Sequence, residues 1–176
     1  EAGVVPAAVD TLLMTHLHPD HFGGLTGPDG TPLYPKAEFR LHVAEHAYWR
    51  DDAAMAACDA TRRAAFFGGA RARLDAYADR TSLFTAGEVF PGVTAISLPG
   101  HTPGHTGFLI ASGAKSLLIW GDIVHVPEVQ VPRPEATMAV DVDPAQAAAT
   151  RRRIFDQVAA DRQAIAGMHL HFPALA

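Results

Sequence analysis

Short apolar runs, separated by turn residues, predict most of the strands. Residues 9–15 (VDTLLMT) are apolar enough for a buried strand, and residues 38–43 (EFRLHV) alternate between polar and apolar as a strand does. The second half repeats this pattern in short runs that Gly, Pro and Ser separate. It predicts strands at residues 93–98, 106–111, 116–120 and 163–168.

The segments between these strands predict helices. Residues 44–58 and 59–80 are rich in Ala, Arg and Leu, with a break expected at Gly68-Gly69 in the second segment. Asp143-Pro144 is typical of a helix start, and that helix is expected to continue to about residue 161. Gly23-Gly24 is expected to form a loop and open a helix, and the proline-rich residues 126–135 should be irregular.

Composition narrows the class of protein. The chain has 176 residues, which favours one domain over residues 1–176, and its net charge of −5 argues against a nucleic-acid-binding protein. The most apolar stretch, residues 108–126, contains Lys115 and Asp122, so no membrane span is expected. Cys58 is the sole cysteine, which excludes an intramolecular disulfide. We expect a soluble protein, and the sequence does not separate the cytoplasm from the periplasm or the exterior.

Histidine is the unusual residue, with ten in the chain. His16, His18, Asp20 and His21 fall within six residues, directly after the first predicted strand. Residues i and i+2 of an extended segment point the same way, so His16 and His18 can share one metal ion, and the turn at Pro19 can direct the other two to a second. Imidazole and carboxylate are ligands that zinc favours. A solvated His-rich turn is the alternative interpretation.

Three further candidate ligands follow later strands. His101 stands in LPGHTPGHTG, Asp122 ends LLIWGD, and His169 stands in IAGMHLHFP. Since each follows a predicted strand, we expect all three at one rim, where α/β sheets place their sites. A carboxylate has two oxygens, so Asp122 can bridge two ions.

The ordered set HLHPDH, PGHTPGHTG, an apolar strand ending in GD and a strand ending in His resembles the metallo-β-lactamase superfamily. The resemblance implies an α+β fold of four layers, αββα, with mixed sheets between helices. It implies one metal ion held by His16, His18 and His101, a second held by Asp20, His21 and His169, and Asp122 between them. It implies catalytic roles for Asp20 and Asp122. Two divalent ions are expected, with zinc favoured over manganese, iron or cobalt.

A narrower resemblance is to the methyl parathion hydrolase branch of that superfamily. It rests on Tyr48-Trp49, FFGGA at residues 66–70, FPGV at residues 90–93, and the final HLHFP. Relatives carry more strands before HxHxDH and continue beyond the last ligand. We therefore expect a chain that is incomplete at its N-terminus and lacks the C-terminal extension.

Other residues are assigned by weaker arguments. Trp49, Phe66 and Phe67 are candidates for an apolar substrate wall, with core packing as the alternative, and His125 is a candidate substrate contact. His105 and His171 compete with His101 and His169 as ligands. We assign His105 a role in supporting a ligand or in packing, and we favour His169. The run from Arg151 to Arg153 is expected on a solvated helix face.

The resemblance implies a hydrolase in which a hydroxide bridging two metal ions attacks an ester, lactone or phosphotriester of a small, partly hydrophobic substrate. Aspartate at position 122 favours these hydrolases over true β-lactamases, which usually carry another residue there. Two alternatives stay open: a non-catalytic metal-binding remnant of this fold, and a mononuclear iron dioxygenase. The expected partner is a small molecule, without nucleic acid or membrane, and a homodimer is left open.

Overall fold

The computed structural model describes residues 3–176, which fold into two compact units. The first unit ends at Phe84 and the second is Thr85–Ala176. Each unit contains its own β-sheet and helices, which confirms the predicted α+β fold. A single domain over residues 1–176 stays a prediction.

A parallel sheet of three strands forms the centre of the first unit. Its order is β1 (Thr11–Leu13), β2 (Glu38–His42) and β3 (Thr81–Phe84), with Leu12 opposite Phe39. The first two strands lie where the apolar pattern predicted them, although β1 is shorter. β3 was not predicted, since TSLF follows a helical segment without a turn signal.

Helices connect these strands. Their bounds are α1 (Pro19–Phe22), α2 (Val43–Arg50), α3 (Asp52–Ala57), α4 (Ala60–Arg62) and α5 (Gly69–Ala76), with a π-helix at Arg63–Gly68 and 3₁₀ turns at Pro6–Ala8 and Ala78–Arg80. The helix predicted to open at Gly23-Gly24 instead ends there. Pro19 begins α1, because its fixed φ suits the first helical position, and Gly23 is the C-cap.

The second unit contains a five-stranded sheet in sequential order. The strands are β4 (Gly87–Phe90), β5 (Val93–Ser97), β6 (Thr106–Ser112), β7 (Lys115–Ile119) and β8 (Ala164–Ala166). The neighbours from β4 to β7 pair antiparallel, and β7 pairs parallel with β8. The strands β5, β7 and β8 therefore run in one direction and end at the same edge of the sheet. β4 was not predicted.

Two helices complete the second unit. The short α6 (Pro127–Gln130) lies in the segment expected to be irregular, and α7 (Pro144–Asp161) confirms the helix predicted from Asp143-Pro144. Arg151 of α7 corrects the expectation of a solvated arginine face, because it is only 1% exposed. Its neighbours Arg152 and Arg153 are exposed. Among residues 3–176, no helix combines the length and the apolar character that crossing a membrane requires.

Candidate metal centre

The first unit presents the HLHPDH segment directly after β1. His16 and His18 are buried, His21 is partly buried and Asp20 is exposed. His18 is the N-cap of α1, so the backbone changes from extended to helical between His18 and Asp20. This change separates the two histidines before the turn from the aspartate and histidine after it.

The side chains of this segment converge. The imidazole of His16 lies edge-on to that of His18, with ring centroids 4.8 Å apart, and 4.0 Å from the ring of His21. His21 Nε2 lies 3.5 Å from Asp20 Oδ2. This segment therefore places three imidazoles and a carboxylate close together, and such a donor set suits divalent metals.

A buried carboxylate supports this segment. Glu45, fully buried on α2, accepts hydrogen bonds at Oε1 from the backbone N–H of Leu17 (2.8 Å) and from the indole N–H of Trp49 (2.6 Å). Leu17 lies between His16 and His18, so Glu45 fixes the backbone from which both imidazoles project. No sequence signal indicated this role, because a glutamate in an Ala-rich helix is normally exposed.

The candidate aromatic wall lies mainly inside the first unit. Trp49 and Phe67 are each 1% exposed and pack against each other in its core, with ring centroids 4.8 Å apart. Phe66 is partly exposed, and its ring lies edge-on to His18 at 5.2 Å. Trp49 also meets His18 edge-on, at 5.7 Å.

In the second unit, the three later candidates gather at one edge of the sheet. His101, Asp122 and His169 follow the ends of β5, β7 and β8 by a few residues. The expectation of a shared rim is confirmed for these three, because their strands end at the same edge.

Asp122 is the centre of this cluster. One of its oxygens, Oδ2, lies 3.1 Å from His169 Nε2, 3.2 Å from His125 Nε2 and 3.4 Å from His101 Nε2. Zinc places its nitrogen and oxygen ligands about 2.0–2.1 Å away, which in a tetrahedron separates them by roughly 3.3 Å. The donor types and spacing therefore fit a divalent metal, and the ligand atoms of His101, Asp122 and His125 all lie within 4.8 Å of one another.

The charge around His101 also favours a cation. Burial alone would lower the pKa of His101, but hydrogen bonding to the carboxylates of Asp122 and Asp141 outweighs it and raises that pKa to about 9. Asp141 accepts from His101 and from the Met138 N–H, which together hold its pKa below the ordinary value despite burial. The two carboxylates thus stabilise positive charge at this imidazole, whether a proton or a metal ion supplies it.

His105 positions the backbone of Asp122. Its Nε2 accepts the Asp122 N–H at 3.0 Å, so Nδ1 carries the proton and donates to the Leu98 carbonyl, also at 3.0 Å. Both ring nitrogens of His105 are thus used by backbone groups, as the expected role in supporting a ligand or in packing requires. Gly121 has φ +57°, and a Cβ there would overlap His105 Nε2.

The remaining histidines of this unit lie beside the cluster. His125 stacks on His169, with ring centroids 4.7 Å apart, and its buried Nδ1 has no hydrogen-bond partner among residues 3–176. His171 is exposed and contacts Glu128 of α6.

Comparisons with known proteins agree with this fold. The chain resembles AbOPH, a hydrolase in the beta-lactamase superfamily, with 34% identity and a TM-score of 0.89 over 99% of this chain and 62% of that one. AidC, a dizinc quorum-quenching lactonase, matches with 24% identity and the same TM-score and coverage. A probable metal-dependent hydrolase from Staphylococcus aureus matches with 24% identity and a TM-score of 0.79, over 95% of this chain and 57% of that one.

The family of this chain is shown by a family model that matches nearly its whole length. A search of curated proteins finds no match to the chain. The chain spans 62% of the length of AbOPH and of AidC. The model of the metallo-beta-lactamase superfamily, however, matches residues 1–169. The chain therefore belongs to the metallo-beta-lactamase superfamily.

Proposed function

We propose that this protein is a dinuclear metal-dependent hydrolase of small, partly hydrophobic esters, lactones or phosphotriesters, in the methyl parathion hydrolase-like branch of its superfamily. Two divalent ions are bound, with zinc favoured. The proposed ligands are His16, His18 and His101 for one ion, Asp20, His21 and His169 for the other, and Asp122 for both.

One observation carries this proposal: three imidazole nitrogens lie within 3.4 Å of a single buried oxygen of Asp122. An imidazole that turns the lone pair of its nitrogen toward a buried carboxylate repels it unless a cation lies between them. His101 and His169, two of the three imidazoles, are proposed ligands of such a cation. The HLHPDH segment supplies a second, matching set of donors.

Divalent ions held by these residues would supply a nucleophilic water near neutral pH and polarise the oxygen of the attacked group. The chain's own residues provide the rest. Asp122 and Asp20 would accept a hydrogen bond from that water and so orient it. His125, with Nε2 beside Asp122 and Nδ1 buried, is proposed to contact the substrate.

The substrate class is argued from the residues beside the ligands. Phe66 offers a partly exposed ring against His18, which suits an apolar group next to a polar centre. Trp49 and Phe67 lie behind in the core, so their proposed contribution to substrate binding is to hold Phe66 and His18 in place. AidC is a lactonase and AbOPH a hydrolase, which supports testing lactones and other esters first.

The test combines metal content with turnover. We expect close to two equivalents of metal per chain by elemental analysis, and hydrolysis of at least one aryl ester, lactone or phosphotriester that a chelator abolishes and zinc restores. Asp122→Ala should lose metal and activity, while Asp156→Ala, an exposed acid on α7, should retain both.

Two outcomes would overturn the proposal. Tight metal binding with no turnover of any of these substrates would favour a non-catalytic metal-binding protein. Full activity of Asp122→Ala with two bound ions would show that Asp122 is not a ligand of the metal ions.

A further inference from the structure

We infer that Asp141 is a positioning residue for His101, whose carboxylate fixes the proton and the ring plane of that imidazole. Its consequence for metal binding rests on the proposed function. Asp141 belongs to no recognised motif of the sequence and lies 40 residues from His101.

The contact is direct and buried. Asp141 Oδ1 lies 2.8 Å from His101 Nδ1, and the side chains are 1% and 3% exposed. The other oxygen, Oδ2, accepts the backbone N–H of Met138 at 2.7 Å. With both oxygens engaged, the carboxylate has one orientation, and that orientation points Oδ1 at the imidazole.

The backbone holds the two residues in register. The Val142 N–H donates to the His101 carbonyl at 3.0 Å, and the Asp143 N–H donates to the Gly100 carbonyl at 2.9 Å. Gly100 has φ +128°, and a Cβ there would overlap the backbone of Ala147 in the first turns of α7. The glycine therefore permits the close approach that brings Asp141 to His101.

A buried arginine fixes the segment that leads to Asp141. Arg151 donates from Nη1 to the carbonyls of Pro134 (2.8 Å) and Ala136 (2.7 Å), and from Nε to the carbonyl of Ile123 (2.6 Å). One guanidinium thus joins the turn after Asp122 to the segment before Asp141. This network defines where the carboxylate lies, so the contact with His101 does not depend on a mobile loop.

The chemical consequence concerns the second ring nitrogen. An acceptor at Nδ1 keeps the proton there, which leaves Nε2 as the atom that can bind a metal ion. His101 Nε2 lies 3.4 Å from Asp122 Oδ2, on the side where the candidate ligands gather. Carboxylates that hold a ligating histidine in this way typically change metal affinity or activity by about 10–100-fold when they are replaced.

The alternative is that Asp141 only closes its own turn through Met138. In that case its loss would lower the stability of the protein and leave zinc affinity and the His101 ring unchanged. The two interpretations therefore differ in two measurements that do not require turnover.

The first measurement is zinc affinity, by competition with a chromogenic chelator, in the wild type, Asp141→Asn and Asp143→Asn. Asp143→Asn is the matched control, because it removes the same charge two residues away and asparagine also caps helices well. We expect Asp141→Asn to bind zinc about 10–100-fold more weakly and Asp143→Asn to bind as the wild type does. Asp141→Glu, which retains a carboxylate, should recover part of the loss.

A double-mutant comparison tests whether Asp141 affects zinc binding through His101. If Asp141 acts through His101, Asp141→Asn should change zinc affinity less than twofold in a His101→Asn background. An undiminished effect there would show that Asp141 acts on the metal by charge alone, and would overturn the inference.

The second measurement is ¹⁵N NMR of the histidine side chains in the metal-free protein. The wild type should show a proton on His101 Nδ1 that exchanges slowly with water, and Asp141→Asn should lose that protection. An Asp141→Asn protein with unchanged zinc affinity and unchanged His101 resonances would overturn the inference.

Weaker zinc binding in Asp141→Asn, with no turnover by the wild type, would support the role of Asp141 while the proposed hydrolase activity fails. If the wild type binds no zinc, the NMR result alone decides the role of Asp141.

Discussion

Single buried carboxylates organise both candidate ligand sets. Glu45 holds the backbone between His16 and His18, and Asp122 is surrounded by imidazoles. Each is nearly inaccessible to water. A buried carboxylate is tolerated when hydrogen bonds satisfy it. Its removal leaves the donors of those hydrogen bonds buried without an acceptor.

Glu45 gives a prediction at this scale. Glu45→Ala leaves the Leu17 N–H and the Trp49 indole N–H buried without their acceptor, and should lower the free energy of unfolding by about 2–5 kcal/mol in urea denaturation. Glu45→Gln keeps an oxygen acceptor at the same place and is the control, expected to lose less than half as much. Equal stability of Glu45→Ala and the wild type would show that these donors find other partners.

Gly121 gives a second prediction. Gly121→Ala introduces a side chain at φ +57° and forces His105 away from the Asp122 N–H. Gly113→Ala is the matched control, because Gly113 has φ +60° and open space around it. The control should lose about 1–2 kcal/mol of unfolding free energy from backbone strain alone, and Gly121→Ala should lose more. Equal losses in the two variants would mean that His105 moves without cost.

At the scale of elements, every strand that is followed by a candidate ligand was predicted from the sequence. Of the strands without a ligand after them, two were missed. The strands β1, β5, β7 and β8 are short apolar runs bounded by His or Gly, and each was expected. The strands β3 and β4 were missed, since TSLF and GEVF are too short and too polar to stand out from a helix and a turn. Their pairing is decided by neighbouring strands, which local pattern does not encode.

The same limit applies to the candidate site. The metal ligand candidates were visible because His and Asp cluster at strand ends, whereas Glu45 and Asp141 were not, because their partners lie 28 and 40 residues away in the chain. Arg151 was misassigned for the same reason: three carbonyl groups of distant segments determine its burial. Contacts of this kind follow from the tertiary fold.

Arg151 supplies the prediction for α7 and the segment packed on it. Arg151→Met keeps much of the volume but leaves the carbonyls of Ile123 and Pro134 without the donor they have now, and should cost about 2–5 kcal/mol. Amide hydrogen exchange in residues 123–141 should quicken in this variant. Arg152→Met, at an exposed position of the same helix, should leave both stability and exchange unchanged. Unchanged exchange in Arg151→Met would refute the role of Arg151 as a loop anchor.

At the scale of the whole molecule, each of the two units has a core of its own. Trp49 is buried in the core of the first unit and Trp120 in that of the second, and they are the chain's two tryptophans. Fluorescence of Trp120→Phe therefore reports the first unit, and fluorescence of Trp49→Phe reports the second. The two variants allow the unfolding of each unit to be followed separately.

Zinc should stabilise both units, because the proposed ligands include residues of each. A ligand present at 100 times its dissociation constant adds about 2.7 kcal/mol to the stability of the state that binds it. We therefore expect zinc to raise the denaturation midpoints reported by Trp49 and by Trp120 by matching amounts, and a chelator to reverse both shifts. Each variant's metal-free midpoint is its own control, because it absorbs any cost of the Phe substitution. A shift seen by Trp120 alone would place the zinc ligands in the second unit, around Asp122, and would contradict the proposed ligands His16, His18, Asp20 and His21.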